Sequence, residues 1–163
     1  MNFMPIKRVD FLVVHCSATP VTRDIGAKEI RQMHMQQGWA DIGYHYVIRR
    51  DGRVDKGRAD TVPGAHVQGF NSRSLGICMV GGVKPDGKTA EANFTDAQYA
   101  ALRHTLDSLK HAYPDAVILG HRDLSPDRNR DGKVTKGEWL KECPTFDAGT
   151  WYAGHPVEHP AYT

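Results

Sequence analysis

Apolar residues along the chain fall into short continuous runs separated by helical periodicity. Val9 to His15 is apolar, bounded by polar residues and rich in β-branched and aromatic side chains, which predicts a buried strand ending at His15. Asp24 offers a cap for a helix over 26–37, in which Ile30, Met33 and Gln37 share a face and Gly38 supplies the stop. Gly43 to Arg50 alternates as a strand, and Asp51-Gly52 is a hairpin signal leading into Arg53 to Lys56, with Tyr44 at the start of the hairpin. Leu75 to Val80 is a second continuous run, expected to be a central strand. Thr95 with Gln98 forms a capping box for an amphipathic helix that Pro114 closes. Val117 to Leu119 predicts a further strand that delivers His121, and a short helix follows Asp147. Strands alternating with helices imply an α/β fold: a central mixed sheet flanked by helices, with strand ends converging on one edge.

Composition narrows the picture without redirecting it. The 163 residues fit one domain, 1–163, and 40% hydrophobic with 25% charged residues is a globular balance. The longest apolar run, Phe11 to Val14, is far too short to span a bilayer, so no membrane anchor is expected. Met1 to Arg8 lacks the apolar stretch of a secretory signal, so synthesis in a cytoplasm is expected. With 21 basic and 19 acidic residues, the charge is too balanced to indicate nucleic-acid binding. Cys16, Cys78 and Cys143 are too few for a disulfide scaffold, which leaves reduced thiols or a metal ligand. Pro156 and Pro160 mark a tail, 153–163, expected to be flexible.

His15 and His121 both follow apolar strands, and Cys143 stands in a Cys-Pro-Thr-Phe-Asp turn. Two imidazoles and a thiolate suit zinc, and three protein ligands leave a fourth position for water or a substrate carbonyl. Nine histidines can produce such a trio by chance, so spacing alone also allows isolated structural histidines. His66, Asn71 and Trp39 are candidates for lining a substrate groove, against the plainer readings of a turn-holding Asn71 and a packed Trp39. His45 and His34 read as supporting or structural, and Cys16 and Cys78 as small buried hydrophobes.

Several motifs carry a resemblance across nearly the whole chain. They are Val14-His15-Cys16-Ser17-Ala18-Thr19, Arg31 with Gly38-Trp39, Gly43-Tyr44-His45-Tyr46 and Arg50-Asp51-Gly52. They continue through Gly64-Ala65-His66, Gly69-Phe70-Asn71, Leu75-Gly76-Ile77-Cys78, Val80-Gly81-Gly82, Asn93-Phe94-Thr95, Gly120-His121-Arg122-Asp123 and Cys143-Pro144-Thr145-Phe146-Asp147. In these the chain resembles phage N-acetylmuramoyl-L-alanine amidases of the T-odd coliphage lysozyme type, relatives of the peptidoglycan recognition proteins. The resemblance implies that fold, a zinc site of His15, His121 and Cys143, and catalytic roles for Tyr44 and Lys141. Tyr44 would hydrogen-bond the water or the developing oxyanion, and the Lys141 ammonium would stabilise the same negative charge. It further implies an endolysin that hydrolyses the amide between N-acetylmuramic acid and L-alanine of bacterial peptidoglycan, causing host lysis. Such an enzyme would be made in the host cytoplasm and reach the periplasmic wall once a membrane pore forms. A monomer is expected. The alternatives are a non-catalytic peptidoglycan-binding module and a cytoplasmic wall-recycling amidase. The resemblance also allows a polymerase-inhibiting partnership, which no residue here indicates.

The chain departs from that family between His121 and Cys143, whose separation of 22 positions is longer than usual. Asp127, Asn129, Asp131, Gly132 and Glu138 match the calcium-loop pattern, with Val134 at its apolar eighth position. Ligands for Ca²⁺ across this insertion, 127–138, would be Asp127, Asn129, Asp131, the Lys133 carbonyl, Thr135 and Glu138. The plainer reading is a salt-bridged Asp-Gly turn, favoured by Arg128, Arg130, Lys133 and Lys136 and by the lack of a preceding helix.

Overall fold

In the computed structural model, which describes residues 4–162, the first apolar run forms strand β1 (Phe11–Cys16), with all six residues buried. It pairs in parallel with β4 (Ser74–Met79) on one side and β5 (Val117–Gly120) on the other. Burial on both faces explains why these runs are continuously apolar rather than alternating. On the far side of β4 lies β2 (Tyr46–Ile48), also parallel, and β3 (Val54–Lys56) closes that edge antiparallel to β2. The order β3-β2-β4-β1-β5 makes Leu75 to Met79 central, as its apolar run predicts, and makes the sheet mixed.

Alternate residues of β1 feed opposite layers of the core. Leu12 and Val14 pack with Leu75, Ile77 and Met79 against Leu102, Leu106 and Leu109 of helix α2 (Asp96–Ala112). Helix α3 (Ala148–Ala153), capped by the Asp147 side chain, lies on that same layer through Ala148 and Trp151. Phe11 and Val13 face the opposite way, onto Val67, Phe70, Leu119 and Leu124, while helix α1 (Ala27–Gln36) covers Val47, Cys78 and Val80 through Ile30. His15, in step with Phe11 and Val13, therefore belongs to the α1 side of the sheet. The capping box of α2 is formed: Thr95 Oγ1 accepts from Gln98 N (3.1 Å) and Gln98 Oε1 accepts from Thr95 N (3.0 Å). Among the described residues no helix is long and apolar enough to cross a membrane.

Two local expectations need correction. Asp24 does not cap α1: Glu29 takes the Gly26 N–H (2.9 Å) and Asp55 takes the Ala27 N–H (3.0 Å), so a long-range carboxylate does the work expected of a local one. The strand expected over Gly43 to Arg50 shrinks to Tyr46–Ile48, because Gly43 and Tyr44 spend their backbone bonds on His34, Ala65 and Arg58 instead of on a ladder. The tail, expected to be flexible, makes defined contacts over its described part. His159 O accepts from Val134 N (2.8 Å), Ala161 N donates to Gly132 O (2.9 Å), and Tyr162 packs edge-on against Phe11 at 4.8 Å.

His45 shows how tightly the core specifies a polar group. Completely buried beside β4, it accepts the Gly76 N–H at Nδ1 (3.0 Å), so its proton sits on Nε2 and is donated to Val62 O (2.8 Å). Burial pushes its pKa from an ordinary 6.5 down to about 4. The unfolded chain therefore binds a proton there that the folded chain refuses, and stability rises with pH across that window. We expect the metal-free protein to hold its full stability above pH 6.5 and to lose on the order of 3 kcal/mol from His45 alone as pH falls toward 4. Urea melts from pH 7 to 4 measure this, and a flat profile would contradict it.

Candidate metal centre

Because β1 and β5 run in parallel, His15 near the end of β1 and His121 just past β5 emerge at the same sheet edge, with imidazole centroids 4.8 Å apart. Cys143 arrives from the far side of the 125–142 segment. Pro144 packs on Gly120 so closely that a β-carbon there would stand 2.6 Å from its ring, which seats the cysteine against the end of β5. One ligand atom from each of His15, His121 and Cys143 lies within 4.8 Å of the other two. Cys143 Sγ is 3.9 Å from His15 Nδ1 and accepts the Cys16 N–H at 3.2 Å, while contact with the Cys16 thiol and then burial push the metal-free Cys143 thiol well above its ordinary range.

The tautomer of His15 follows from a buried chain of hydrogen bonds. The Ser74 hydroxyl donates to Phe70 O (2.7 Å), leaving its oxygen to accept from His66 Nε2 (3.2 Å). His66 Nδ1 then accepts from His15 Nε2 (2.8 Å), and the lone pair of His15 is left on Nδ1, facing Cys143. His66 was expected in the substrate groove. It does reach the groove floor, but its ring is turned onto His15, where it orients a ligand-competent nitrogen. Two glycines make the room: a β-carbon at Gly64 would lie 2.5 Å from His66 Cδ2 and one at Gly76 2.7 Å from its Cγ. Gly64-Ala65-His66 and Gly76 were visible in the sequence, but Ser74 carried no local signal of this role.

Burial holds both candidate imidazoles unprotonated near neutrality. His121 is pushed down to about 4, chiefly by burial and secondarily by the Lys141 ammonium, and His15 lies well below its ordinary value for the same leading reason. Tyr44, 5.1 Å from His15 and 5.5 Å from His34 between ring centroids, has its phenol pushed well above its usual range by burial and then by the neighbouring thiols Cys78, Cys143 and Cys16. It is thus a proton-bearing donor at neutral pH. Two neutral imidazole nitrogens and one sulfur, converging with a free lone pair on His15, fit a zinc ion of the open, three-ligand kind.

A groove of about 550 Å³ adjoins this centre at His121 and is lined by Trp39, His66, Asn71, Leu140 and Lys141 among others. Asn71 Oδ1 accepts from His66 N (2.9 Å) and Val67 N (3.0 Å), so this side chain mainly holds the wall in shape. Trp39 is 38% exposed and stacks on His34 at 4.4 Å.

The insertion lies apart from the groove floor. Carboxylate oxygens of Asp127, Asp131 and Glu138 lie within 4.8 Å of one another. Gly132, in the left-handed region at φ +85°, donates its N–H to Asp127 Oδ2 (2.8 Å), and Val134 is buried behind the loop. Asn129 Oδ1 accepts from Asp131 N (3.2 Å), and the Thr135 hydroxyl donates to Glu138 (3.2 Å). Lys133 pairs outward with Glu158 (3.0 Å) instead of neutralising the loop.

Comparisons with known proteins agree with this geometry. The family profile described as N-acetylmuramoyl-L-alanine amidase matches residues 5–137. The chain is 48% identical to the endolysin of Klebsiella phage KP32 over 152 residues, which span 93% of this chain and 91% of that protein. It is 40% identical to the endolysin of Escherichia phage T7 over the same shares. Among solved structures, the Ph2119 endolysin from the Thermus scotoductus MAT2119 bacteriophage superposes with a TM-score of 0.63 at 32% identity, over 85% of this chain and 78% of that one. Bumblebee PGRP-SA shares the fold at a TM-score of 0.70 and 22% identity, over 93% and 85% of the two chains. With a family profile spanning most of its length and phage relatives matching nearly all of it, the chain belongs to the N-acetylmuramoyl-L-alanine amidase family.

Proposed function

We propose that this chain is a phage endolysin that hydrolyses the amide between N-acetylmuramic acid and L-alanine in bacterial peptidoglycan, with a zinc ion held by His15, His121 and Cys143. The observation that carries this reading is the convergence of those three side chains beside an open groove that His121 lines. Zinc bound there supplies Lewis acidity toward the scissile carbonyl and brings the pKa of a water toward neutrality. The protein's own groups do the rest. His66 holds His15 in the tautomer with a free Nδ1, and the Cys16 N–H supports the Cys143 sulfur. Tyr44 keeps its proton and donates a hydrogen bond to the water or to the oxyanion as it forms. The Lys141 ammonium, exposed at the groove wall, offsets the same charge. An intact donor set argues against a module that only binds peptidoglycan, and the phage relatives argue against a wall-recycling enzyme. The chain is made in the host cytoplasm and acts on the periplasmic wall once a pore admits it. Digestion of purified peptidoglycan tests the reaction: new L-alanine amino termini without new reducing ends are expected, and reducing ends alone would refute it.

Zinc and chemistry are separable. Cys143→Ser and His121→Ala should each lose bound zinc, read by metal analysis, and turnover with it. Tyr44→Phe should keep its zinc and fold while losing ~10²–10³ in rate, the usual cost of one preorganised donor. A Tyr44→Phe enzyme within a few-fold of wild type would return that residue to packing.

We further propose that residues 127–138 bind calcium through the Asp127, Asn129, Asp131 and Glu138 side chains, the Lys133 carbonyl and Thr135. Three carboxylates gathered on one turn, with Lys133 drawn off to Glu158, support this. The ion would order the segment that carries Lys141 and Cys143. Calcium at a hundredfold excess over Kd should add about 2.7 kcal/mol of stability, visible as a rise in Tm. Asp127→Ala or Glu138→Ala should erase that rise with zinc still bound. No change in Tm or activity on adding calcium to protein treated with a calcium-selective chelator would identify a salt-bridged turn.

A further inference from the structure

The lining of the groove beside the proposed zinc site carries positive charge. Arg122 and Lys141 are the charged side chains on its walls, and no Asp or Glu lines it. Among the described residues neither cation takes part in an ion pair. Lys141 acts at the reacting end, where its charge is felt by both His15 and His121. Arg122 is held differently. Its backbone N donates to Cys143 O (3.0 Å), and its guanidinium carbon stands 3.8 Å over the ring of Trp139. Trp139 is brought there by the insertion, whose next residue, Leu140, donates its N–H to Ser125 Oγ (3.1 Å). Stacking on an indole orders a guanidinium while leaving its in-plane N–H groups free for a carboxylate. Arg122 Nε is buried without a hydrogen-bond partner, and among the described residues no protein acceptor engages the terminal Nη groups, which are the ones that can meet a ligand.

On the substrate side, the sugar presents hydroxyl and acetamide groups, and its lactyl carboxyl is consumed in the scissile amide. Free carboxylates belong to the peptide stem, and the nearest to that bond is the α-carboxylate of the second stem residue when it is γ-linked. We propose that Arg122, set on Trp139, receives this carboxylate and is a specificity-determining residue, so that the enzyme selects stems with a free second-residue acid over stems in which that group is amidated. This rests on the amidase reading of the site and adds the stem chemistry it prefers.

The test uses two synthetic N-acetylmuramoyl tripeptides that differ only in carrying the second-residue α-carboxylate or its amide, and the zinc-loaded enzyme. Wild type should favour the acid roughly tenfold in kcat/KM, mainly through KM. Arg122→Gln should raise KM for the acid to that for the amide while kcat and zinc content stay near wild type. Arg122→Lys, with the charge but not the planar fork, should keep part of the preference. A wild type that cuts both substrates equally well overturns the proposal, as does an Arg122→Gln enzyme that keeps the full preference. The wild-type comparison and the Lys variant decide the matter should the Gln variant fail to fold. Cleavage of neither substrate would instead overturn the amidase reading, and this assignment with it.

Discussion

The parallel pairing of Phe11–Cys16 with strands on both of its sides is the constraint from which the site follows. Parallel strands end at the same edge, so the hydrophobic force that buries β1 between β4 and β5 also brings His15 and His121 together. Register does the fine work. Val14 stands opposite Gly120, which leaves His15 beside the first residue beyond β5. No attraction between the two imidazoles is required, since the core places them and their proximity is a consequence.

Burial at that edge has an electrostatic result. A histidine enclosed by apolar walls and by other histidines resists protonation, because a charged imidazole there would lose its hydration without gaining a carboxylate. The Asp123 carboxyl just beyond β5 is engaged elsewhere, accepting Gly120 N (2.8 Å) and facing His159. Neutral nitrogen donors are therefore ready near neutral pH. The Ser74–His66–His15 chain adds direction to readiness by deciding which nitrogen of His15 is free, and it exists only because Gly64 and Gly76 leave space for the His66 ring.

The segment between His121 and Cys143 joins functions that are separate in sequence. It holds the carboxylate-rich loop, supplies Trp139 beneath Arg122, and forms the wall that carries Leu140 and Lys141. The tail locks it in place. Residues 159–161 lie along 132–134 as a short antiparallel bridge, and His159 reaches Asp147 at the start of α3 (2.9 Å). Folding of the loop is thereby linked to the strand ends that frame the His15, His121 and Cys143 cluster.

The sequence by itself determined the elements whose signals are local. Continuous apolar runs marked β1, β4 and β5, Thr95 and Gln98 marked the start of α2, Asp147 marked α3, and the motifs around His15, Tyr44, His121 and Cys143 named side chains that the fold brings close together. These were legible because periodicity and capping act over a few residues. Tertiary structure alone decided which partner each polar group took. Asp55 rather than Asp24 serves α1, backbone bonds to distant loops shorten β2, and the His66 ring, while lining the groove, is hydrogen-bonded to His15. The tail, rich in proline and polar residues, carried no sign of the bridge that pins it. Each of these outcomes depends on contacts between residues far apart in the chain, where a buried donor or acceptor must find whatever partner the packed core brings within hydrogen-bond distance.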